Sequence, residues 1–172
     1  MIRRPRRRAP EPETLLVRRV AIGADHGGFE LKARLVDFLR RKGIEVADLG
    51  THSPKPCDYP QIGYKVGAAV GEGRFDRGIL LCKSGIGIAI AANKVPGVRA
   101  GVCGDLFDAE RSRLHNDTNI LVLGAEKVGD GQAKQIVEKW LATPFEGGRH
   151  ERRVRQIDAI ERRVCDRGGR KS

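Results

Sequence analysis

Gly78–Lys94 reads GILLCKSGIGIAIAANK, and this stretch decides the fold. Gly78 to Cys82 is short and continuously apolar, the pattern of a strand covered on both faces in a parallel sheet. Lys83-Ser84-Gly85-Ile86-Gly87 is too rich in glycine for a strand, and Ile88 to Asn93 is small and apolar, suited to a helix lying close on that sheet. A strand, a glycine turn and a helix leave the first backbone N–H groups of the helix aimed at one point, where negative charge is favoured. Cys82 stands at that point. A thiol at the mouth of such a turn is activated as a base or nucleophile. Cys82 and its loop are therefore expected to form the core of an active site.

Outward from this unit, strands and helices alternate. Arg19 to Ala24 reads as a first strand, followed by Asp25-His26-Gly27-Gly28. Phe29 to Lys42 carries Leu31, Leu35, Phe38 and Leu39 on one helical face, and Gly43 ends it. Ile44 to Leu49 is a second strand, and Pro60 suits the first turn of a helix that runs to about Gly71. Val98 to Cys103 is the fourth strand, Asp105 is placed to cap a helix through Arg113, and Ile120 to Leu123 is the fifth strand. Gly131 to Ala142 is a helix, and a strongly charged last helix reaches about Val164, with 165–172 as a frayed tail. The alternation predicts an α/β fold, a doubly wound, Rossmann-like parallel sheet of five strands with helices on both faces. In such sheets the ligand crevice lies beyond the carboxyl ends of the strands. Asp25, His26 and Cys82 to Gly87 fall there. His115 and Asn116 precede the fifth strand, which puts them at the opposite end unless the helix is short or the loop climbs back.

The formal charge of +11 sits at the two ends of the chain. Residues 1–19 and 149–172 each carry a net +5, and the fold between them carries +1. With five Phe, two Tyr and one Trp, none of them interleaving the arginine runs, the sequence argues against a nucleic-acid surface. Residues 1–18 read as a disordered basic extension. Cys57, Cys82, Cys103 and Cys165 are widely spaced, with no C-x-x-C, which argues against a zinc site and against a secreted disulfide framework. No apolar run approaches the length of a membrane span. A reducing cytoplasm is the expected compartment.

Each candidate also has an ordinary structural reading. Asp25-His26 fits a polar turn. Cys57, Cys103 and Cys165 fit inert packing. His115-Asn116-Asp117 fits a helix end with its stop signal. Arg149, His150, Arg152 and Arg153 fit a solvated helix face or, behind Gly147-Gly148, an anion clamp.

Five stretches, GADHGGFELK (23–32), DYP (58–60), GILLCKSGIGIAIAANK (78–94), RLHNDTN (113–119) and EGGRHERR (146–153), stand in one order and spacing. Together they resemble the ribose-5-phosphate isomerase B family, with its galactose-6-phosphate isomerase relatives, over about residues 19–164. The resemblance implies an enzyme that interconverts an aldose phosphate and a ketose phosphate, chiefly ribose 5-phosphate and ribulose 5-phosphate, with neither metal nor cofactor. It implies a homodimer, often paired into tetramers, in which each site is completed by the C-terminal segment of the neighbouring chain. On that pattern His115 helps open the sugar ring with Asp25 near the ring oxygens, and Cys82 as thiolate removes the C2 proton. Ser84 and the N–H groups of Gly85, Ile86, Gly87 and Ile88 hold the enediolate. Asn116 and Tyr59 hold the sugar, while His26 and the neighbour's Arg149, His150 and Arg153 take the phosphate. Two positions depart from the family: Lys83 stands where glycine is usual, and Glu126 stands where a phosphate-contacting arginine is often found. An ion pair between Lys83 and Glu126 is the expected compensation. These departures leave open a different sugar phosphate, a free sugar, or a sugar-phosphate binding module without turnover.

Overall fold

The computed structural model describes residues 17–168, and the expectations for 1–16 and 169–172 fall outside them. Five strands alternate with six helices: β1 (Arg19–Ala24), α1 (Phe29–Arg41), β2 (Glu45–Asp48), α2 (Tyr59–Gly71), β3 (Arg77–Cys82), α3 (Ile86–Ala92), β4 (Ala100–Val102), α4 (Leu106–Asn116), β5 (Ile120–Gly124), α5 (Asp130–Ala142) and α6 (Arg149–Gly168). The sheet order is β2-β1-β3-β5-β4 and every pairing is parallel. From β1 the chain steps outward to β2, then returns to the other side of β1 to lay down β3. The strand order therefore reverses between β1 and β3, and the ends of those strands, at Ala24 and Cys82, are where a sheet of this kind takes its ligand.

Side-chain alternation along the strands splits the core in two. Ile22, Ala24, Ile79, Leu81, Leu121 and Leu123 point to the face covered by α1 and α5, around Leu35, Leu39, Ile136 and the fully buried Trp140. Ala21, Leu80, Cys82, Ile120 and Val122 point to the face covered by α2 and α3. Cys82 thus ends its strand on the α2/α3 side, beneath the helix that its own loop begins.

Several expected boundaries move: β2 is Glu45–Asp48 where Ile44–Leu49 was expected, β4 is Ala100–Val102 where Val98–Cys103 was expected, and three further shifts have a visible cause. Val17 is buried in the first core and the Arg18 N–H donates to Asp76 Oδ2 at 2.9 Å, so the ordered fold begins before residue 19. Helix α4 continues past Arg113 to Asn116, because Asp117 is the first residue to leave helical geometry, with φ 46°. Helix α6 runs beyond Val164 to Gly168: no glycine or proline interrupts it after Arg149, so nothing in the sequence stops it earlier.

Candidate active site

The catalytic candidates separate into two groups at opposite ends of the sheet. The first gathers around the strand-order reversal. Cys82 is 6% exposed, and its Sγ accepts the Gly85 N–H at 3.1 Å. That geometry needs Gly85 at φ +82°, a left-handed conformation that glycine adopts without penalty. The loop is clamped from β5 by the Ala125 N–H on the Cys82 carbonyl at 2.8 Å and by the Glu126 N–H on the Lys83 carbonyl at 3.1 Å. Tyr59 lies across the loop: a Cβ on Gly87 would stand 2.6 Å from the phenol ring, so only glycine lets the ring lie this close. Ser84 is half-buried, and its Oγ accepts the Ile86 N–H at 3.3 Å.

Asp25 and His26 follow β1 directly beside this loop. The Asp25 N–H donates to the Leu81 carbonyl at 3.3 Å, and Asp25 Oδ1 accepts the Gly27 and Gly28 N–H groups at 2.9 and 3.3 Å. The polar-turn reading is therefore right for Oδ1. His26 Nδ1 accepts the Cys57 N–H at 3.2 Å, so the neutral ring carries its proton on Nε2. The stem of Lys83 crosses Gly27, where a Cβ would meet its Cγ at 2.5 Å. Lys83 Nζ stands 4.0 Å from Glu126 Oε1, with both side chains mostly exposed at 60% and 67%. The expected pairing is present at the limit of contact, and solvent leaves it worth little, about 0–1 kcal/mol.

The second group sits where β5 begins. His115 and Asn116 close α4, and His115 stacks on His150 of the same chain, with ring centroids 4.0 Å apart and planes 6° apart. The β3–β5 register from Gly78/Ile120 to Cys82/Gly124 separates the two ends by about 13 Å of strand. His115 therefore belongs with the C-terminal segment and not with the Cys82 of its own chain, and the loop does not climb back. His150 is 3% exposed and packed within its own chain, whereas Arg149 and Arg153 are exposed. Burial first, then the neighbouring His115 and the charges of Arg149 and Arg153, hold the His150 imidazole below its ordinary value; Glu146 opposes them.

Sequence reading missed two residues that build this end. Arg113 is 3% exposed, and its guanidinium donates to the Thr118 carbonyl (2.7 Å), Asp117 Oδ1 (2.7 Å) and the Thr143 carbonyl (3.2 Å). It thereby pins the end of α4 to the loop that leads into α6. Glu146 Oε2 lies 3.8 Å from both His115 Nε2 and His150 Nε2. The i, i+4 spacing of Glu146 and His150 was visible in the sequence, but nothing there tied either one to His115.

Residues 20–157 match the family described as Ribose/Galactose Isomerase. The chain is similar to ribose-5-phosphate isomerase B of Escherichia coli, 49% identical over 86% of this chain and 99% of that protein. It is also similar to the D-erythrulose-4-phosphate isomerase of Pectobacterium atrosepticum, 40% identical over 83% of this chain and 94% of the other. Among solved structures, ribose-5-phosphate isomerase B of Clostridium thermocellum superposes with a TM-score of 0.84 at 51% identity, covering 85% of this chain and 99% of that one. With the fold, the glycine turn after Cys82 and these matches in agreement, the chain belongs to the ribose/galactose isomerase family.

Proposed function

We propose that this enzyme interconverts ribose 5-phosphate and ribulose 5-phosphate, with Cys82 as the base. The observation that carries this reading is the Cys82 sulfur at the strand-order reversal, accepting the Gly85 N–H at 3.1 Å in a chain of this family. The Gly85 N–H is directed at this sulfur, and a thiolate is the form of the group that removes a proton from carbon. The thiolate takes the proton from C2 of the open-chain aldose, and the C1 carbonyl becomes the enediolate oxygen. Ser84 and the N–H groups of Gly85 to Ile88 stand at the same loop to hold that charge; the O2 proton passes to O1, C2 becomes the carbonyl, and return of the abstracted proton to C1 gives the ketose. Asp25 and Tyr59 flank the sugar, and His26, with its proton on Nε2, faces the phosphate as a donor.

The ring-opening His115, the sugar-binding Asn116, and the phosphate ligands Arg149, His150 and Arg153 come from a second copy of the chain. Support for this is the separation of the two groups in one protomer, together with the exposed apolar side chains Ile86, Ile90, Val102, Leu106 and Phe107, which suit an interface between copies. This extends the sequence reading, in which the neighbour supplies only its C-terminal segment: His115 and Asn116 travel with it.

Ribose 5-phosphate is tested by following the C2 deuterium label from solvent in a panel of pentose and hexose substrates, each with and without phosphate. Label in ribose 5-phosphate above all others is expected. A four-carbon ketose phosphate is the rival, favoured by the Pectobacterium relative and by Glu126 near the loop. Binding without any exchange of label in the panel would leave a binding module and end the catalytic reading.

A further inference from the structure

Arg99, the residue before β4, joins three parts of the fold through one guanidinium. Its backbone is rooted in the sheet: the N–H donates to Asn119 Oδ1 at 2.8 Å, and the carbonyl accepts the Asn119 and Ile120 N–H groups at 3.1 and 3.4 Å. From there the side chain reaches two helices. Nη2 donates to Asp117 Oδ2 at 3.0 Å and Nε to the Asp117 carbonyl at 3.1 Å, while Nη1 donates to Asp158 Oδ1 on α6 at 3.3 Å. Asp117 directly follows His115 and Asn116, and among the described residues it is the one non-glycine with positive φ. Such a backbone persists in a residue with a side chain only where the surroundings over-determine it. Arg99 and Arg113 do so here, one on each carboxylate oxygen.

Helix α6 needs a hold of this kind. Beyond the buried Val154, its apolar residues Ile157, Ile160 and Val164 are exposed, and a cleft of about 700 Å³ with Arg99 in its wall separates them from β4. Among the described residues, this half of the helix is hydrogen-bonded to the rest of the chain at two points. One is Arg99 on Asp158, and the other is the Gly97 N–H on both oxygens of Glu161 at 3.0 Å.

We propose that Arg99 is a positioning residue, which aims the groups on the end of α4 and on α6 as one rigid set. Its consequence for turnover rests on the proposed function, in which His115, Asn116, Arg149 and Arg153 serve a second copy. Groups that cross to another chain take their aim from their own sheet, and an error of an ångström there is costly. Lysine is no substitute: an ammonium is a point charge, whereas the planar fork of Arg99 serves both helices at once.

Arg99→Lys keeps the charge and is expected to lower kcat/KM for ribose 5-phosphate by about tenfold, the scale of a misaimed ligand. Asp158→Ala cuts the α6 arm alone. It is expected to raise KM about fivefold, the worth of one hydrogen bond, with kcat unchanged, and Asp158→Glu to restore it. Without sugar, amide exchange over 155–164 is expected to quicken in Arg99→Lys and in Asp158→Ala. Unchanged exchange in both variants overturns the proposal. So does a fall in kcat and unfolding temperature with KM unmoved and no rescue by Asp158→Glu, the mark of a merely structural tie. Faster exchange with wild-type kinetics upholds the brace and counts instead against the second-copy reading.

Discussion

Cys82 and Cys103 are both buried, and what surrounds each sulfur decides what it does. Burial drives the Cys103 thiol up to about 11, against a smaller opposing pull from Ser112. That sulfur is a filler between β4 and α4, as expected for a small hydrophobe. Cys82 instead ends its strand at the strand-order reversal, with a backbone N–H directed at its sulfur. Cys82→Ala is expected to lower kcat by about a thousandfold, within the range of lost acid–base catalysis, while the sugar phosphate still binds. Steady-state kinetics beside calorimetric binding check this, and near-normal turnover would dismiss the base assignment. Cys82 was legible in the sequence because glycines at its back have one economical explanation, a backbone folded toward the sulfur. Arg113 was not. A lone arginine in a charged helix reads as solvated, and only the folded chain shows it buried on three oxygens.

At the scale of elements, the end of α4 and the start of α6 form one unit, and two expectations follow from how it is held. Arg113→Ala leaves the Thr118 and Thr143 carbonyls without their donor and Asp117 without its counter-charge. A loss of about 2–3 kcal/mol is expected, since bonds to a charged donor are involved, and thermal unfolding of the variant measures it. Acid acts on the same unit through His150. Its folded value lies below the unfolded one, so between the two the unfolded chain binds the extra proton. Stability is therefore full above about pH 6.5, the ordinary histidine value, and falls as the pH drops through the window beneath it. Amide exchange at the start of α6 is expected to speed up in that window, and His150→Asn to remove the dependence. The elements themselves were readable, since apolar runs mark β1, β3 and β5, and a glycine ends or soon follows each strand. The helix ends were less so: α4 carries His115 and Asn116 inside its last turn because Asp117 accepts a left-handed backbone, a choice local polarity does not announce. The fate of His150 was likewise hidden, because an arginine-rich run gives no sign that one member folds inward.

For the whole molecule, the parallel register keeps the two groups apart, and no local adjustment brings His115 to Cys82 in one chain. Under the proposed function the test is complementation. Cys82→Ala and His115→Ala are each expected to be inactive alone. When the two are unfolded and refolded together, half of the dimers are mixed, and each mixed dimer owns one intact site out of two. About a quarter of wild-type activity is then expected, by the arithmetic of a two-fold assembly. A mixture as silent as its parents would place the whole site within one subunit.

Because the sheet carries the sulfur at one end and the paired imidazoles at the other, a solitary copy, under the proposed function, holds two unfinished halves. Specific activity should accordingly sink on dilution, once concentration drops beneath the dissociation constant of the pair. The catalyst is then an encounter between molecules, and how many copies are present governs how well each one works.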